Sequence, residues 1–366
     1  MRPPKLILLA PPILAAIFIV LNLDAQDTAP GQAIETPPDN AGDTPEPSTT
    51  VMLPGYNVKD FGAVGDGVHD DSEAFQKALD ATAHTKRDFS DRPLKRIVIP
   101  RGRYRITRTL KLNASHGGLH LMGTGVPVPF GGGRGTTELF WDGPEGGAIV
   151  AWRSGSGMRI EDIYFNGNEK AKYCVTIDSP RGVPWSGAAA HHVWRNVIFA
   201  HADVGVRGGT DTTLNSANMS FYDCAFLRNR IGFETSSPQH LIYGFFRCKT
   251  TGSEIAYNFP AGGCAKWSQC ESYTVGTFLN IYQGGINAGT FHLDSVRPEP
   301  WPYEGKRMTL LRARGETNVK FTSLDTTGVG LYERRDTNGD GQVDENDEKV
   351  RTDLNSPLFV IGTHAQ

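Results

Sequence analysis

Six short rows of sequence within residues 158–296 decide the fold. They are MRIEDIYF from Met158, HVWRNVIF from His192, MSFYDCAF from Met219, YGFFRCKT from Tyr243, AKWSQCES from Ala265 and GTFHLDSV from Gly289. The third position of every row is large and apolar: Ile160, Trp194, Phe221, Phe245, Trp267 and Phe291. The row starts are separated by 34, 27, 24, 22 and 24 residues. Such a period is typical of a solenoid, in which each unit stacks on the next.

A second set of rows falls between the first with matching steps. These rows are YCVTID from Tyr173, VGVRGG from Val204, IGFETS from Ile231 and IAYNFP from Ile255. Apolar and polar side chains alternate within each row, as they do in strands. Stacked units would pair such strands in parallel sheets, about 4.8 Å apart. The two sets of rows therefore predict an all-β solenoid, a right-handed parallel β-helix.

The fifth and sixth positions of the first rows are predicted to be structural. The fifth position is mostly polar, and we expect these side chains at a bend between two strands, where they can cap turn backbone. The sixth position is Cys in three rows, and we expect Cys224, Cys248 and Cys270 to form a ladder of small buried thiols. The chain has five cysteines, and an odd number does not fit a disulfide framework.

The segments before these rows carry a family resemblance. YNVKDFGAVGDGVHDDSEAFQKALDAT, from Tyr56 to Thr82, resembles the opening signature of the pectate-lyase-like superfamily, and within it the rhamnogalacturonase/epimerase-like β-helix group. RIVIPRGRYRITRTLKL, from Arg96 to Leu112, is similar to the first strands of that group. The resemblance is specific over residues 56–125 and continues as a repeat pattern to about residue 325.

The same segment predicts an N-terminal capping helix. Asp70 and Asp71 precede an apolar pattern at Ala74, Phe75, Ala78 and Leu79. Carboxylates at this place can cap a helix and complement its dipole. The helix would close the open end of the solenoid, and the acidic pair is interpreted as a cap rather than a catalytic dyad.

The resemblance implies an enzyme that acts on plant or microbial polysaccharides by lysis or hydrolysis, in a group that also has non-catalytic and phage-tail members. The polygalacturonase-type residue set is absent from residues 150–300, and Gly-His-Gly occurs nowhere in the chain. No catalytic residue is therefore carried over from that family.

The predicted site lies on the second rows, where the outward positions align coil by coil. They are Thr176, Arg207, Glu234 and Asn258, and Asp178 lies on the same face as Thr176. We predict Arg207, Glu234 and Asp178 as catalytic residues, and Asn258 and Thr176 as substrate-binding residues. In β-elimination, Arg207 would be the base or would neutralise a uronate carboxylate. In hydrolysis, Glu234 and Asp178 would be the acid and base of an inverting pair.

Structural interpretations compete with this site. Arg207 and Glu234 could form an exposed cross-strand ion pair worth less than about 1 kcal/mol. Tyr222, Phe246, Trp301 and Tyr303 could stack on sugars or pack under a loop. We interpret His191, His192 and His201 as loop or turn residues rather than as metal ligands.

An acidic stretch near the C-terminus predicts a calcium site. DTNGDGQVDENDE, from Asp336 to Glu348, follows the pattern of a calcium-binding loop and resembles half of a dockerin repeat. We expect a structural Ca²⁺ within 336–347, and a dockerin would need a second loop, so cohesin binding is not favoured. The predicted oxygen ligands are Asp336, Asn338, Asp340, Gln342, Asp344 and Asp347.

The N-terminus and the charge balance bear on compartment and partners. Residues 1–25 have the pattern of a secretory signal, with an uncleaved membrane anchor as the alternative because Leu6–Leu23 carries no charge. Residues 26–53 are rich in Pro, Thr and acids and are predicted to be a disordered linker, followed by the β-helix at 54–366. The net charge of the 366 residues is −3, which does not favour nucleic-acid binding.

These features predict an exported enzyme, secreted, periplasmic or at the cell surface, whose partner is a polysaccharide. A polysaccharide lyase and a glycoside hydrolase both fit. The alternatives are a non-catalytic carbohydrate-binding or cell-surface β-helix and a structural adhesin fragment.

Overall fold

The computed structural model describes part of the chain, all of it within one compact unit, Leu53–Gln366. Side chains are described for residues 55–84, 96–127, 136–179, 189–209, 216–236, 241–282, 289–299, 303–314 and 317–322. For the strands Tyr332–Arg334, Lys349–Arg351 and Phe359–Gly362 only the backbone is described. The predicted signal, the whole predicted linker and the calcium loop lie outside these residues.

The described residues form a parallel β-helix with three faces, as predicted. Face 1 is a ten-stranded parallel sheet that contains the part of each first row that precedes the bend. Its strands are Tyr56–Asn57, Arg96–Val98, His120–Met122, Arg159–Glu161, Val193–Arg195, Met219–Tyr222, Tyr243–Phe246, Cys264–Ser268, Gly289–Asp294 and Thr317–Thr322.

Faces 2 and 3 belong to one sixteen-stranded sheet, because two long strands, Lys249–Phe259 and Glu271–Tyr282, run through both faces. Face 2 also contains Asp66–Asp70, Gly102–Ile106, Thr137–Trp141, Tyr164–Asn166, Ile198–Ala200, Ala225–Leu227 and Arg297–Pro298. Face 3 also contains Leu110–Asn113, Ala148–Arg153, Tyr173–Asp178, Val204–Gly208, Ile231–Thr235, Thr309–Arg314 and Phe359–Gly362. The second rows lie on face 3.

The strand register confirms the predicted apolar column and corrects its last member. Trp194 pairs with Phe221, Phe221 with Phe245, and Phe245 with Trp267. Neighbouring rings in this column stack with centroids 5.0–5.9 Å apart. Trp267, however, pairs with Leu293, and Phe291 pairs with Ala265. The sixth row therefore begins two residues later than predicted.

Left-handed backbone marks the corners of the coil. The predicted fifth-position bend is confirmed, because these residues have φ between +50° and +60°: Asp162, Asn196, Asp223, Arg247 and Gln269. A second corner, between faces 2 and 3, has φ between +49° and +66° at Asn168, His201, Arg228, Gly252 and Thr274. A single left-handed residue turns the chain sharply. Repetition of this bend at the same place in each coil keeps the strands in register.

The interior is filled by stacked apolar side chains. Four of the five cysteines are buried and all five are free thiols, which confirms the interpretation of Cys224, Cys248 and Cys270 as packing residues. Burial raises the pKa of the Cys248 and Cys270 thiols well above the ordinary value. A thiol in this environment stays protonated and unreactive.

The helix Ser72–Ala81 packs against the first coils. Its apolar side contributes Phe75 and Leu79 to the core, and the Phe75 ring meets Tyr104 edge-on at 5.1 Å. Asp70 accepts hydrogen bonds from the Ser72 backbone (3.0 Å) and from the Thr107 hydroxyl (2.6 Å). Asp71 makes no side-chain cap and instead accepts from the backbone of Val64 (2.6 Å) and of Gly65 (3.2 Å). Both carboxylates fix backbone, as expected of a structural pair.

The remaining described elements are small. They are two 3₁₀ turns, Val58–Phe61 and Ala114–His116, and an antiparallel pair, Tyr332–Arg334 with Lys349–Arg351. Among the described residues, no helix has the length and apolar character needed to cross a membrane.

Candidate functional site

The outward side of face 3 carries a column of mostly polar residues. The register aligns Thr176 with Arg207, Arg207 with Glu234, and Glu234 with Asn258, as the sequence predicted. The column extends beyond these residues in both directions. In order along the solenoid it is Lys111, Ala151, Thr176, Arg207, Glu234, Asn258, Asn280 and Arg312.

The middle of this column points outward but is largely covered. The side chains of Arg207 and Glu234 are only 20% and 13% exposed, and Asn258 and Asn280 are 8% and 6% exposed. On face 1, by contrast, outward-pointing Arg159 is exposed. The middle of the polar column of face 3 is therefore mostly shielded from solvent.

Hydrogen bonds join the covered residues into one chain of contacts. Arg207 Nη1 donates to Glu234 Oε1, and Asn258 Nδ2 donates to Glu234 Oε2 (2.6 Å). Asn280 Nδ2 in turn donates to Asn258 Oδ1 (2.7 Å). Both oxygens of Glu234 are thus occupied, and the Asn280 side-chain oxygen is buried without a partner among the described residues.

Arg207 is fixed by its surroundings and keeps free donor groups. Besides the bond to Glu234, its Nε donates to the Gly209 carbonyl (3.0 Å) and its Nη2 to the Ser236 hydroxyl (2.6 Å). A guanidinium carries further N–H donors, directed in one plane, that suit a carboxylate. Within the described residues nothing occupies these remaining donors. Arg207 is therefore pre-oriented and able to bind an anion.

Asp178 lies on the same side of face 3, in the column beside that of Arg207. It pairs in register with Arg153, and the coil after Asp178 is that of Arg207. Two strand steps and two residues separate Asp178 from Glu234, which places their Cα atoms about 12 Å apart. Arg207 lies between the two carboxylates.

The polar side of face 3 has an excess of positive charge. Five Arg or Lys side chains and two carboxylates occupy its two outward columns, a net charge of +3. They are Lys111, Arg153, Arg207, Arg312 and Arg314, with Asp178 and Glu234. Such a surface attracts polyanions and concentrates them before specific contacts form.

All five predicted site residues lie on this face, and the predicted alignment of Thr176, Arg207, Glu234 and Asn258 in one column is confirmed. The Arg207–Glu234 ion pair also forms, although it is mostly shielded from solvent rather than exposed. The sequence reasoning missed Asn280 and Arg312. The rows TFLNIY from Thr277 and TLLRAR from Thr309 have the same alternation and spacing, and aligning them would have found both residues.

The aromatic and histidine residues considered in the sequence analysis lie outside the polar column of face 3. Tyr222 and Phe246 point outward from face 1, but their rings stack on each other at 4.8 Å and the Arg195 guanidinium lies over Tyr222 at 5.3 Å. Their faces are therefore occupied. His192 is fully buried and His201 lies at a corner beside Glu169 (2.6 Å). No cluster of potential metal ligands occurs in the described part of the chain.

Comparison with protein families gives one match. The family described as rhamnogalacturonase A/epimerase, pectate lyase-like, matches residues 55–130. This segment includes the helix and the first strands of all three faces. It is the segment in which the sequence analysis placed the specific resemblance.

Two curated proteins of Azotobacter vinelandii are similar to part of the chain. Mannuronan C5-epimerase AlgE1 is 39% identical over an alignment of 80 residues, and the match covers 19% of this chain and 5% of the epimerase. Alginate lyase 7 is 36% identical over an alignment of 121 residues, and the match covers 31% of this chain and 13% of the lyase. The matched part of the chain thus spans only a small fraction of each relative.

Several solved structures align with much of the chain at low sequence identity and with TM-scores below 0.5. The A-module of the Azotobacter vinelandii mannuronan C-5 epimerase AlgE6 aligns with a TM-score of 0.42 and 18% identity, over 85% of this chain and 87% of that chain. An N-terminal fragment of gene product 12 of bacteriophage Phi29 aligns with a TM-score of 0.47 and 14% identity, over 73% and 43%. Identities this low carry no information on activity.

Proposed function

We propose that the protein is an enzyme that acts on an acidic polysaccharide, with its active site at Arg207 on face 3. The observation that carries the proposal is Arg207 itself, which is held by three hydrogen bonds, retains free donors and lies between two carboxylates. The positive charge of face 3 and the partial matches to an alginate lyase and a mannuronan epimerase support an acidic substrate.

The reaction proposed is removal of the proton on the carbon next to a uronate carboxylate. Arg207 would bind that carboxylate and stabilise the negative charge that develops on it as the C–H bond breaks. The proton would pass to Asp178. In a lyase the electron pair forms a C=C bond and expels the glycosidic oxygen on the next carbon, which takes a proton from water and leaves as an alcohol. In an epimerase water instead delivers a proton to the opposite face of the same carbon.

Glu234 is assigned a positioning role. Both of its oxygens already accept hydrogen bonds, from Arg207 and from Asn258, so it holds the guanidinium in place. We assign the role of proton acceptor to Asp178, the other carboxylate on the outward side of face 3. Hydrolysis by an Asp178–Glu234 pair is disfavoured for the same reason, because a Glu234 carboxylate with both oxygens occupied is poorly placed to act as acid or base.

A non-catalytic polysaccharide-binding protein is the second candidate. One observation favours it, since hydrogen bonds join Arg207, Glu234, Asn258 and Asn280 into one continuous ladder, as in a purely structural arrangement. We also propose that the chain is exported, on the grounds of its N-terminal 25 residues.

The test is a product analysis on alginate, polygalacturonate and a neutral glucan. Elimination is detected by the ultraviolet absorbance of unsaturated ends, epimerisation by NMR of the sugar configuration, and hydrolysis by new reducing ends without unsaturation. We expect one of the first two on an acidic polysaccharide only, and its loss in Asp178→Asn. Binding without any product would favour the second candidate, and activity on the neutral glucan would overturn the proposal.

A further inference from the structure

The outer side of face 1 presents two straight columns of side chains that the proposed active site does not use. The first is Arg96, His120, Arg159, Val193, Ser220, Gly244, Lys266, His292 and Lys320, and the second is Val98, Met122, Glu161, Arg195, Tyr222, Phe246, Ser268, Asp294 and Thr322. The residues between these columns point into the core, as the burial of Ile160, Trp194 and Phe221 demonstrates. The two columns therefore define one outward stripe.

The stripe is basic, straight and rigid. It carries five Arg or Lys side chains and two carboxylates, a net charge of +3 with His neutral. From Arg96 to Lys320 it crosses nine strands, a length of about 38 Å at the usual strand spacing. Since every residue lies on a hydrogen-bonded strand of one sheet, the charges keep fixed positions along the solenoid axis.

Most cations of the stripe are not neutralised by neighbours. Arg96, Arg159 and Lys320 have no ion pair within the described residues, and Arg195 contacts only the Tyr222 ring. The two carboxylates, by contrast, each have a basic neighbour, Glu161 with His120 (3.2 Å) and Asp294 with Lys266 (3.6 Å).

Face 2 is a control within the same molecule. Its outward cations Arg103, Arg105, Lys249 and Arg297 each pair with a carboxylate, at 2.8–3.3 Å. A solenoid face can thus neutralise its own charges, and face 2 does so. The unpaired charges of face 1 are a property of that face and not a necessary consequence of stacking coils.

We propose that the outer stripe of face 1 is a second binding surface for an acidic polysaccharide, separate from the active site on face 3. An extended polyanion lying along the solenoid axis would meet Arg96 and Arg159, then Arg195, and finally Lys266 and Lys320. The choice of polysaccharide as the polyanion rests on the proposed function. A surface of this kind would keep the enzyme on a long chain while face 3 acts on it.

The dimensions and charge favour this ligand over other polyanions. The stripe is only two side chains wide, which fits one extended chain better than the two backbones of a nucleic-acid duplex. The protein as a whole carries a net charge of −3, unlike strong nucleic-acid binders. The aromatic pair Tyr222 and Phe246 is stacked within the sheet surface, so it offers no protruding apolar anchor for a membrane.

The test compares two triple variants that change the net charge equally. The first replaces Arg159, Arg195 and Lys320 of face 1 by Ser, and the control replaces Arg103, Lys249 and Arg297 of face 2 by Ser. Both are made in full-length Arg207→Ala protein to prevent turnover, and the affinity for long-chain alginate is measured by affinity electrophoresis over a range of salt. Face 1 substitution should weaken binding about tenfold or more and flatten its salt dependence, while the control stays within about twofold.

Equal affinities in the two triple variants would overturn the proposal, whether both bind as the parent does or both are weakened. Tighter binding of the parent to duplex DNA or to anionic phospholipid vesicles than to alginate would also overturn it. Melting curves check that both variants fold. If the face 1 triple variant does not, the double variant Arg159→Ser/Lys320→Ser replaces it, since both side chains are exposed and outside any described ion pair.

Activity is measured separately from this binding. For this measurement the two triple variants are made with Arg207 unchanged. Both should turn over short uronate oligosaccharides at the rate of the protein without the triple substitutions, because such short substrates cannot reach from face 3 to face 1. Failure to find any turnover would count against the proposed reaction alone. The comparison of affinities between face 1 and face 2 variants would still decide whether the stripe binds the polymer.

Discussion

Ile242 is held in a backbone conformation that β-branched residues rarely adopt. Its φ is +63° and the side chain is 66% exposed, so no burial offsets the strain. The equivalent corner positions of the preceding coils are Gly157, His191 and Asn218. Left-handed backbone costs a non-glycine residue roughly 1–2 kcal/mol, and Asn tolerates it better. We expect Ile242→Asn to raise the free energy of unfolding by about 1 kcal/mol in denaturant titration.

The reverse substitution in the neighbouring coil is the control. Asn218→Ile should lower the free energy of unfolding by a similar amount, because it introduces the same strain at φ +55°. If Ile242→Asn were destabilising, the strain argument for this corner would be wrong.

His192 should make the stability depend on pH. It is fully buried beside Trp152, with ring centroids 4.7 Å apart, and burial lowers its pKa to about 3. The folded protein thus keeps His192 neutral, whereas the unfolded chain binds a proton below the ordinary value of about 6.5. The contribution of His192 to the free energy of unfolding is therefore fully present above pH 6.5. It is lost as the pH falls from 6.5 towards 3, by up to about 1.4 kcal/mol per pH unit.

The measurement is urea unfolding of the wild type and of His192→Phe between pH 7 and pH 4. The difference between the two proteins isolates the histidine from other groups. The variant should lose less stability on acidification, and identical pH dependence in both proteins would show that His192 can be protonated without unfolding.

At the scale of strands, the sequence predicted register well where both periodicity and bend signals were present. The second rows alternate cleanly and their four-coil alignment is confirmed. The sixth of the first rows was placed two residues too early, because Phe291 and Leu293 both satisfy the apolar third position. The correct alignment places polar Ser295, which has φ +55°, at the fifth-position bend and Val296 at the sixth position. These two residues would have identified it from the sequence.

The sequence predicted a strand after each fifth-position bend but did not identify face 2 as a sheet of its own, and its strands explain why. Several of them have only three residues, too few to show a period. The outward positions Ile198, Ala200 and Ala225 are apolar and buried, so the expected alternation with polar residues is missing. Whether an outward position is buried depends on residues that are distant in the sequence, so local sequence patterns do not predict it.

On face 3, neighbouring coils approach each other so closely at Gly205 that a side chain does not fit without a shift of the backbone. A Cβ at Gly205 would lie 2.5 Å from the carbonyl oxygen of Gly232 and 3.0 Å from Asn229 Nδ2. We expect Gly205→Ala to destabilise the protein by about 1–3 kcal/mol, because backbone of the next coil would have to move.

Gly208, on the same strand, is the matched control. A Cβ there would approach nothing closer than the Tyr243 hydroxyl at 3.3 Å, so Gly208→Ala should cost much less in thermal or denaturant unfolding. Equal losses for the two variants would mean that the spacing between these coils is looser than described.

The calcium loop remains a prediction from the sequence at 336–347. Isothermal titration of chelator-treated protein with Ca²⁺ should give heat and a higher melting temperature, because oxygen ligands at this spacing suit the ion. Asp340→Ala should abolish both effects. No heat in the wild type, or undiminished heat in the variant, would contradict the prediction.

At the scale of the whole molecule, the solenoid converts sequence repeats into extended surfaces. Residues that meet on face 3 come from separate coils, for example Asp178, Arg207 and Glu234 in three successive ones. The sequence could align these residues because the coils are nearly equal in length. It could not predict how Glu234 would be shared between Arg207 and Asn258, because the conformations of long polar side chains depend on packing in three coils at once.

The most direct test of the account is the activity of Arg207→Ala on an acidic polysaccharide, compared with that of Arg230→Ala. Arg230 also forms an ion pair with a residue of the preceding coil, Asp203, 27 positions earlier in the sequence (2.5 Å). This pair lies near the corner between faces 2 and 3 and outside the polar column. We predict that Arg207→Ala lowers kcat/KM about 10²–10³-fold, as loss of a charge-stabilising group does, while Arg230→Ala stays near the wild type. Wild-type activity in Arg207→Ala, or equal losses in the two variants, would contradict the assignment of the active site to face 3.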